Sequence, residues 1–166
     1  MNRFQLLWAA TLLLVAAFVA AGDRPATIEE FYDASARTRV IAHRGFSGAA
    51  PENTLAAIRA AIGVGADMTE IDVTLSSDNR VVVIHDETLD RTTNGSGEVA
   101  EFSRAELREL DAGSWFGPSF AGERIPTLDE VLTAVEGRIL LNVEIKSEAV
   151  ARGVVARVAA AIREHG

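Results

Sequence analysis

The sequence has 166 residues with 24 acidic and 16 basic side chains, which gives a formal net charge of −8. This length favours one domain, and a hydrophobic content of 48% excludes disorder for the chain as a whole. The acidic balance argues against a general nucleic-acid binder, because phosphate backbones attract a surplus of Lys and Arg. The absence of cysteine from the sequence excludes disulfides, thiolate metal sites and cysteine nucleophiles.

The N-terminal segment has the pattern of a secretory signal peptide. Arg3 precedes an apolar run over residues 6–21, which is interrupted only by Thr11 and followed by Gly22. The sequence therefore predicts a signal peptide over residues 1–22, with an uncleaved membrane anchor over residues 4–21 as the alternative. The run is shorter than the roughly 20 residues that span a bilayer comfortably, which favours cleavage. Either interpretation predicts an exported protein, periplasmic or secreted if the segment is cleaved.

The remaining sequence alternates between strand and helix patterns. The predicted elements are, in chain order, a helix at about 28–36, a strand at 40–42, a helix from 55 to about 63, a hairpin of strands 68–75 and 81–86, a loop over 87–103, a helix from 104 to about 110, a helix from 128 to about 136, a strand at 139–146 and a helix from about 150 to 166. Asn53, Ser103 and Thr127 are the predicted N-caps of three of these helices. This order predicts an α/β fold with a parallel sheet.

Acidic side chains lie on two of the predicted strands, near the ends at which parallel α/β folds collect functional groups. Glu70 and Asp72 are two residues apart, so both carboxylates project from the same face of their strand. Glu144 repeats this arrangement on the last strand. Such a group is costly unless a cation neutralises it, and oxygen ligands suit Mg²⁺ or Ca²⁺. For Glu70 and Asp72 alone, an exposed acidic sheet face is an equal alternative, because this spacing is common.

Two histidines and two cations accompany these carboxylates. His43 and His85 each end an apolar run, and an imidazole can hold or release a proton near neutral pH. A lone histidine in such a place is more often structural, but this pair suits a general acid and a general base. Arg44 and Lys146 offer positive charge to phosphate oxygens. Together these residues predict a metal-assisted site for an anionic phosphate group.

Five motifs in order resemble the glycerophosphodiester phosphodiesterase family, namely His43-Arg44-Gly45, Pro51-Glu52-Asn53-Thr54, Glu70-Ile71-Asp72-Val73, Val83-Ile84-His85-Asp86 and Val143-Glu144-Ile145-Lys146. The segments 89–95 and 125–128 are also similar to connecting pieces of that family. The resemblance implies a TIM (β/α)₈ barrel that hydrolyses glycerophosphodiesters to glycerol 3-phosphate and an alcohol with a divalent cation. Residues 38–166 would then form the N-terminal portion of the barrel, with about three barrel strands and a hairpin.

The resemblance also implies the role of each site residue. It makes His43 and His85 the acid–base pair, Glu70, Asp72 and Glu144 the metal ligands, and Arg44 and Lys146 the phosphate-binding residues. The implied cofactor is Ca²⁺ or Mg²⁺. The implied partner is a small glycerophosphodiester, with no nucleic acid and with membrane contact only through a retained N-terminal segment.

Two alternatives stay open at this point. A phospholipase D-type barrel that acts on lysolipids or sphingolipids uses similar histidines and carboxylates, although the Pro-Glu-Asn-Thr motif and the long segment 87–125 favour the first interpretation. The later strands of the family's barrel are missing from the sequence, so an inactive truncated fragment is the other alternative.

Overall fold

One long strand forms the centre of the sheet in the computed structural model, which describes residues 24–33, 37–146, 149 and 153–165. The strands are β1 (Ile41–Ala42), β2 (Met68–Leu75), β3 (Val81–Val83) and β4 (Leu140–Ile145). The helices are α1 (Ile28–Phe31), α2 (Leu55–Gly63), α3 (Arg104–Glu109), α4 (Leu128–Val135) and α5 (Val154–His165), and 3₁₀ turns lie at Val99–Glu101 and Pro118–Phe120. The predicted signal peptide lies outside the described residues.

Strand β2 is central because both of its edges are paired. Strand β4 runs parallel to it along one edge, with Glu70 opposite Asn142 and Asp72 opposite Glu144. Along the other edge, β1 pairs in parallel with the first two residues of β2, and β3 pairs antiparallel with its last three. The predicted combination of three parallel strands and one hairpin is confirmed. Residues opposite each other in this register share a face of the sheet, which sets Glu144 beside Asp72.

The two faces of β2 have opposite characters. Ile71, Val73 and Leu75 are fully buried against the helices that cover the sheet. Because successive side chains alternate between faces, Glu70 and Asp72 lie on the other side. A second apolar cluster lies beneath the segment 87–125 and consists of Val82, Ile84, Leu89, Val99, Leu107, Ala112 and Ile125. The apolar cores thus fix β2 and the long loop without using the face that carries the carboxylates.

Several element boundaries differ from the predicted ones. Helix α1 ends at the buried Phe31, with Tyr32 as its C-cap, and residues 34–36 of the predicted helix lie outside the described residues. Strand β3 ends at Val83, so His85 lies in the loop after the strand. The capping boxes predicted at Ser103 and Thr127 are confirmed. No helix within the described part of the chain is long and apolar enough to span a membrane.

Candidate active site

The loop after β1 brings His43 and Arg44 to the rim of the sheet through an unusual backbone. Arg44 and Gly45 both have left-handed conformations, with φ of 54° and 75°. Glu70 holds this turn at two points, since its Oε2 accepts from the Arg44 N–H at 2.8 Å and its backbone oxygen accepts from the Gly45 N–H at 3.0 Å. A Cβ at position 45 would lie 2.5 Å from the Cβ of Ala57, so this position requires glycine.

The three predicted metal ligands meet at this rim. One carboxylate oxygen from each of Glu70, Asp72 and Glu144 lies within 4.8 Å of the others. Burial raises the pKa of Glu70, and repulsion from Asp72 and Glu144 adds to this effect against the hydrogen bond from the Arg44 N–H. The Oε1 atom of Glu70 is buried and has no hydrogen-bond partner among the described residues. Three converging carboxylates with one unpartnered buried oxygen fit a hard divalent cation.

Asp72 is the most tightly held of these carboxylates, with a side chain that is 1% exposed. Its Oδ1 lies 2.8 Å from Lys146 Nζ, and its Oδ2 accepts from Asn53 Nδ2 at 2.8 Å. The Nε of Arg44 lies 3.4 Å from the same Oδ2. Burial works against ionisation of Asp72, but the hydrogen bonds from Lys146 and Asn53 outweigh it and keep the pKa below its ordinary value. Asp72 is therefore a carboxylate at neutral pH.

The predicted role of Asn53 as the N-cap of α2 is wrong. Thr54 is the cap, and its Oγ1 accepts from the Ala57 N–H at 3.3 Å. Asn53 is instead buried with φ of 58°, and both ends of its amide bind Asp72, since Oδ1 accepts from the Asp72 N–H at 3.2 Å. A short polar residue before a helix suits both roles, so the Pro-Glu-Asn-Thr pattern could not distinguish them.

The two predicted catalytic histidines border the carboxylates from different loops. His43 is largely exposed, and its Nε2 lies 3.9 Å from Glu70 Oε2. His85 is half-buried, and its Nδ1 lies 2.6 Å from Asp86 Oδ1. His85 also lines an open cleft with Glu144 and Lys146. The structure thus brings both imidazoles to the carboxylate cluster, while their catalytic roles stay predictions.

The two cations predicted to bind phosphate both contact carboxylates. Lys146 Nζ lies 2.8 Å from Asp72 and 2.7 Å from Glu144. Burial lowers the pKa of Lys146, but its hydrogen bonds to these two carboxylates more than offset this and raise the pKa above the ordinary value. Arg44 Nη1 donates to Glu52 Oε1 at 2.9 Å. Both positive charges therefore lie at the rim, beside the predicted metal ligands.

Three charged residues near the site were not singled out from the sequence. Arg91 donates to both Asp86 and Glu52, which contact His85 and Arg44 respectively. The segment around Arg91 has a polar, glycine-containing composition, which predicts only a connecting loop. A contact between Arg91 and a residue 39 positions earlier has no local sequence signal.

The fold and the rim define a class of protein, an α/β fold with a candidate cation site at the rim of its sheet, and comparisons with known proteins identify the family. Residues 43–164 match the model of the Glycerophosphoryl diester phosphodiesterase family. The chain is 56% identical over 112 residues to a glycerophosphodiester phosphodiesterase of Caldanaerobacter subterraneus, which covers 67% of this chain and 46% of that protein. The chain therefore belongs to the glycerophosphoryl diester phosphodiesterase family, as its motifs indicated.

Solved structures confirm the predicted fold class. The crystal structure of glycerophosphodiester phosphodiesterase from Agrobacterium tumefaciens matches with a TM-score of 0.73 and 45% identity, over 78% of this chain and 54% of that chain. An Oleispira antarctica phosphodiesterase in complex with the product sn-glycerol-3-phosphate matches with a TM-score of 0.74 and 43% identity, over 77% and 53%. The sheet is thus part of a TIM-barrel-type fold, and the chain spans about half the length of the relatives it matches.

Proposed function

We propose that this chain supplies the catalytic rim for the hydrolysis of glycerophosphodiesters to glycerol 3-phosphate and an alcohol. The observation that carries the proposal is the meeting of Glu70, Asp72 and Glu144 within 4.8 Å in a member of this family. The Caldanaerobacter relative is named for this activity, and the Oleispira structure holds sn-glycerol-3-phosphate. The proposed substrate is a small molecule, and export through residues 1–22 stays a prediction.

Glu70, Asp72 and Glu144 would hold the divalent cation, Ca²⁺ or Mg²⁺, through carboxylate oxygens. When bound there, the ion supplies charge neutralisation and polarises the phosphoryl group. The Oε1 of Glu70, which has no donor in the described part of the chain, supports this assignment, because a buried carboxylate oxygen without a donor is costly. Arg44 and Lys146 bind and orient the non-bridging phosphate oxygens, and their fixed positive charges suit the dianionic product as well as the diester.

The two imidazoles move the protons in this proposal. One accepts the proton of the attacking oxygen, and the other donates a proton to the alcohol oxygen as its bond to phosphorus breaks. The contact between His85 Nδ1 and Asp86 leaves Nε2 for this transfer. Attack by water gives glycerol 3-phosphate directly, whereas attack by a glycerol hydroxyl gives a cyclic phosphate that water then opens. Both routes add one water across one phosphorus–oxygen bond.

The test is an assay of glycerol 3-phosphate release by the purified chain from glycerophosphocholine, with lysophosphatidylcholine as the competing substrate. We expect release with Mg²⁺ or Ca²⁺ and its loss on chelation. The variants His43→Ala and His85→Ala should each lose a factor on the order of 10²–10⁴, the usual contribution of a general acid or base. His165→Ala is the matched control, because this exposed histidine lies in α5 and contacts Ala161.

Three outcomes would contradict the proposal at different levels. Full activity of His43→Ala or His85→Ala would refute the role of that histidine. Turnover of the lysolipid alone would favour the phospholipase D-type alternative. A folded chain that hydrolyses neither substrate in the presence of both ions would show that these 166 residues are not by themselves the enzyme.

A further inference from the structure

Arg91 connects two carboxylates that each contact a residue of the candidate site. Its Nε and Nη2 donate to Asp86 at 2.6 and 3.0 Å. Its Nη1 and Nη2 donate to Glu52 at 2.9 and 2.7 Å. One planar guanidinium thus makes two bidentate contacts, a geometry that lysine cannot reproduce.

Each of these carboxylates holds a residue of the proposed catalytic site. Asp86 Oδ1 lies 2.6 Å from His85 Nδ1, which favours the tautomer with a proton on Nδ1 and turns Nε2 away from Asp86. Glu52 Oε1 accepts from Arg44 Nη1 at 2.9 Å as well as from Arg91. A contact of this kind, which orients a functional imidazole or guanidinium from behind, sets geometry without touching the substrate.

The loop that carries Arg91 is anchored independently of its side chain. Leu89 is fully buried, and its N–H donates to the Gly97 oxygen at 3.0 Å. Thr93 Oγ1 donates to the Leu89 oxygen at 2.7 Å. Asn94 is paired with Asp111 through two hydrogen bonds, one of them from its backbone N–H. We therefore expect the loop to keep its path when the guanidinium is removed.

We propose that Arg91 is a positioning residue that fixes the His85 imidazole and the Arg44 guanidinium in one relative arrangement. The inference rests on the proposed function, in which His85 transfers a proton and Arg44 binds phosphate. Arg91 acts through Asp86 and Glu52 and does not contact the reacting atoms. The Arg91 side chain is 44% exposed, so an ordinary surface ion pair at this place would contribute little to the stability of the fold. Its contribution lies in orientation, because small displacements of catalytic groups lower turnover strongly.

The test compares Arg91→Gln and Arg91→Lys with the matched control Arg108→Gln. Arg108 is exposed to a similar degree, 39%, and also donates to a glutamate, Glu130, at 2.6 Å, but it lies in α3. We expect kcat of Arg91→Gln to fall about tenfold or more, since displaced catalytic groups cost this much. The control should stay within about twofold, as for surface ion pairs. The lysine variant, which can engage one carboxylate at a time, should fall between them.

A second readout does not need activity. Nitrogen NMR of the three imidazoles, at a pH of about 8 where ordinary histidines are neutral, reports which ring nitrogen carries the proton. In the unmodified chain we expect His85 in the Nδ1–H form. In Arg91→Gln we expect a shift of His85 toward the Nε2–H form, with His165 unchanged as the internal reference.

The outcomes separate this inference from the proposed function. An inactive unmodified chain would count against the proposed function, and the NMR comparison would then decide the role of Arg91 alone. An unchanged His85 tautomer in Arg91→Gln, or a kcat equal to that of Arg108→Gln, would overturn the positioning role. Full activity of Arg91→Lys would overturn the claim that the two-sided guanidinium contact is what positions the site.

Discussion

The two strands that carry the candidate site hold their carboxylates very differently. On β2, Asp72 is 1% exposed and is held by Asn53, Lys146 and the nearby Arg44. On β4, the Glu144 side chain is 55% exposed and contacts Lys146. The reason is position in the sheet: β2 is paired along both edges, whereas β4 is paired with β2 along one edge within the described residues.

This difference separates the parts of the site that folding fixes from those that solvent reaches. A buried carboxylate is tolerated only when donors and cations compensate for its lost hydration, so Asp72 is coupled to the stability of the fold. An exposed carboxylate keeps its hydration, and its ion pair with a lysine contributes little to the stability of the fold. We infer that the β2 carboxylates form a rigid half of the proposed cation site and that Glu144 is its adjustable ligand.

The largest expected effect comes from a comparison that removes the carboxylate charge of Asp72 on β2 and, separately, that of Glu144 on β4. Asp72→Asn leaves Lys146 and Arg44 beside a neutral amide, and breaking a buried pair in this way costs about 3 kcal/mol or more. Glu144→Gln should cost less than about 1 kcal/mol, as for an exposed pair. Urea unfolding of both variants measures the two free energies of unfolding.

The same pair of variants also tests cation binding. Mg²⁺ or Ca²⁺ should raise the unfolding midpoint of the unmodified chain, because a ligand that binds only the folded state stabilises it. Glu144→Gln should keep its fold and lose most of this increase. Equal losses of stability in Asp72→Asn and Glu144→Gln would break the contrast between the strands. A full cation response in Glu144→Gln would remove Glu144 from the proposed ligand set.

A smaller effect is expected from the amide that holds Asp72. Asn53→Gly keeps the freedom to adopt the left-handed backbone and removes two hydrogen bonds to Asp72, so we expect a loss of about 2 kcal/mol. Asn53→Ala should lose about 1 kcal/mol more, because alanine is strained at φ of 58°. Denaturant unfolding of the two variants measures both losses in the free energy of unfolding.

Thr54→Ala is the control for this experiment and should cost about 1 kcal/mol, the usual value for an N-cap. If Asn53 were itself the cap, its replacement by glycine would cost only a few tenths of a kcal/mol. A near-neutral Asn53→Gly would therefore restore the helix-cap interpretation and contradict the clamp on Asp72.

The sequence predicted those features that depend on local periodicity. Alternation along residues 68–75 correctly placed Glu70 and Asp72 on one face, because side chains in a strand project to opposite sides in turn. The capping boxes at Ser103 and Thr127 were likewise local patterns that the fold preserves. The order of the elements was sufficient to predict a parallel sheet with a hairpin.

The features that the sequence did not predict depend on tertiary partners. Asn53 became a clamp because the backbone of Arg44 and the side chain of Asp72 meet it across the rim. Arg91 contacts Glu52 from 39 positions away, and no pattern in either segment encodes this pairing. Side-chain partners of this kind are specified only when the packed core has set the relative positions of the loops.

The smallest expected effect concerns the ion pairs that Arg91 makes with Asp86 and Glu52. The hydrogen bonds from Arg91 keep the pKa of Asp86 well below its ordinary value of 3.8, against the effect of partial burial and with a further contribution from His85. Burial opposes ionisation of Glu52, but Arg91 and Arg44 outweigh it and lower the pKa below the ordinary 4.5. Folding therefore favours the ionised form of both carboxyls.

The direction of the pH dependence follows from these lowered values. Stability from both carboxyls is fully present above their ordinary pKa values and is lost as the pH falls through the lower values of the folded state. In Arg91→Gln both pKa values should return toward the ordinary range, so less stability remains to be lost in acid.

We expect the unfolding midpoints of Arg91→Gln and the unmodified chain to differ by about 2 °C at pH 6, the size of a screened surface contribution. The difference should shrink as the pH falls below about 4, where both carboxyls become protonated in the unfolded chain. Arg157→Gln, which changes an exposed arginine of α5, is the control. Its unfolding midpoint should change with pH in the same way as that of the unmodified chain. A constant difference between Arg91→Gln and the unmodified chain across this range would show that Arg91 does not act through the ionised forms of Asp86 and Glu52.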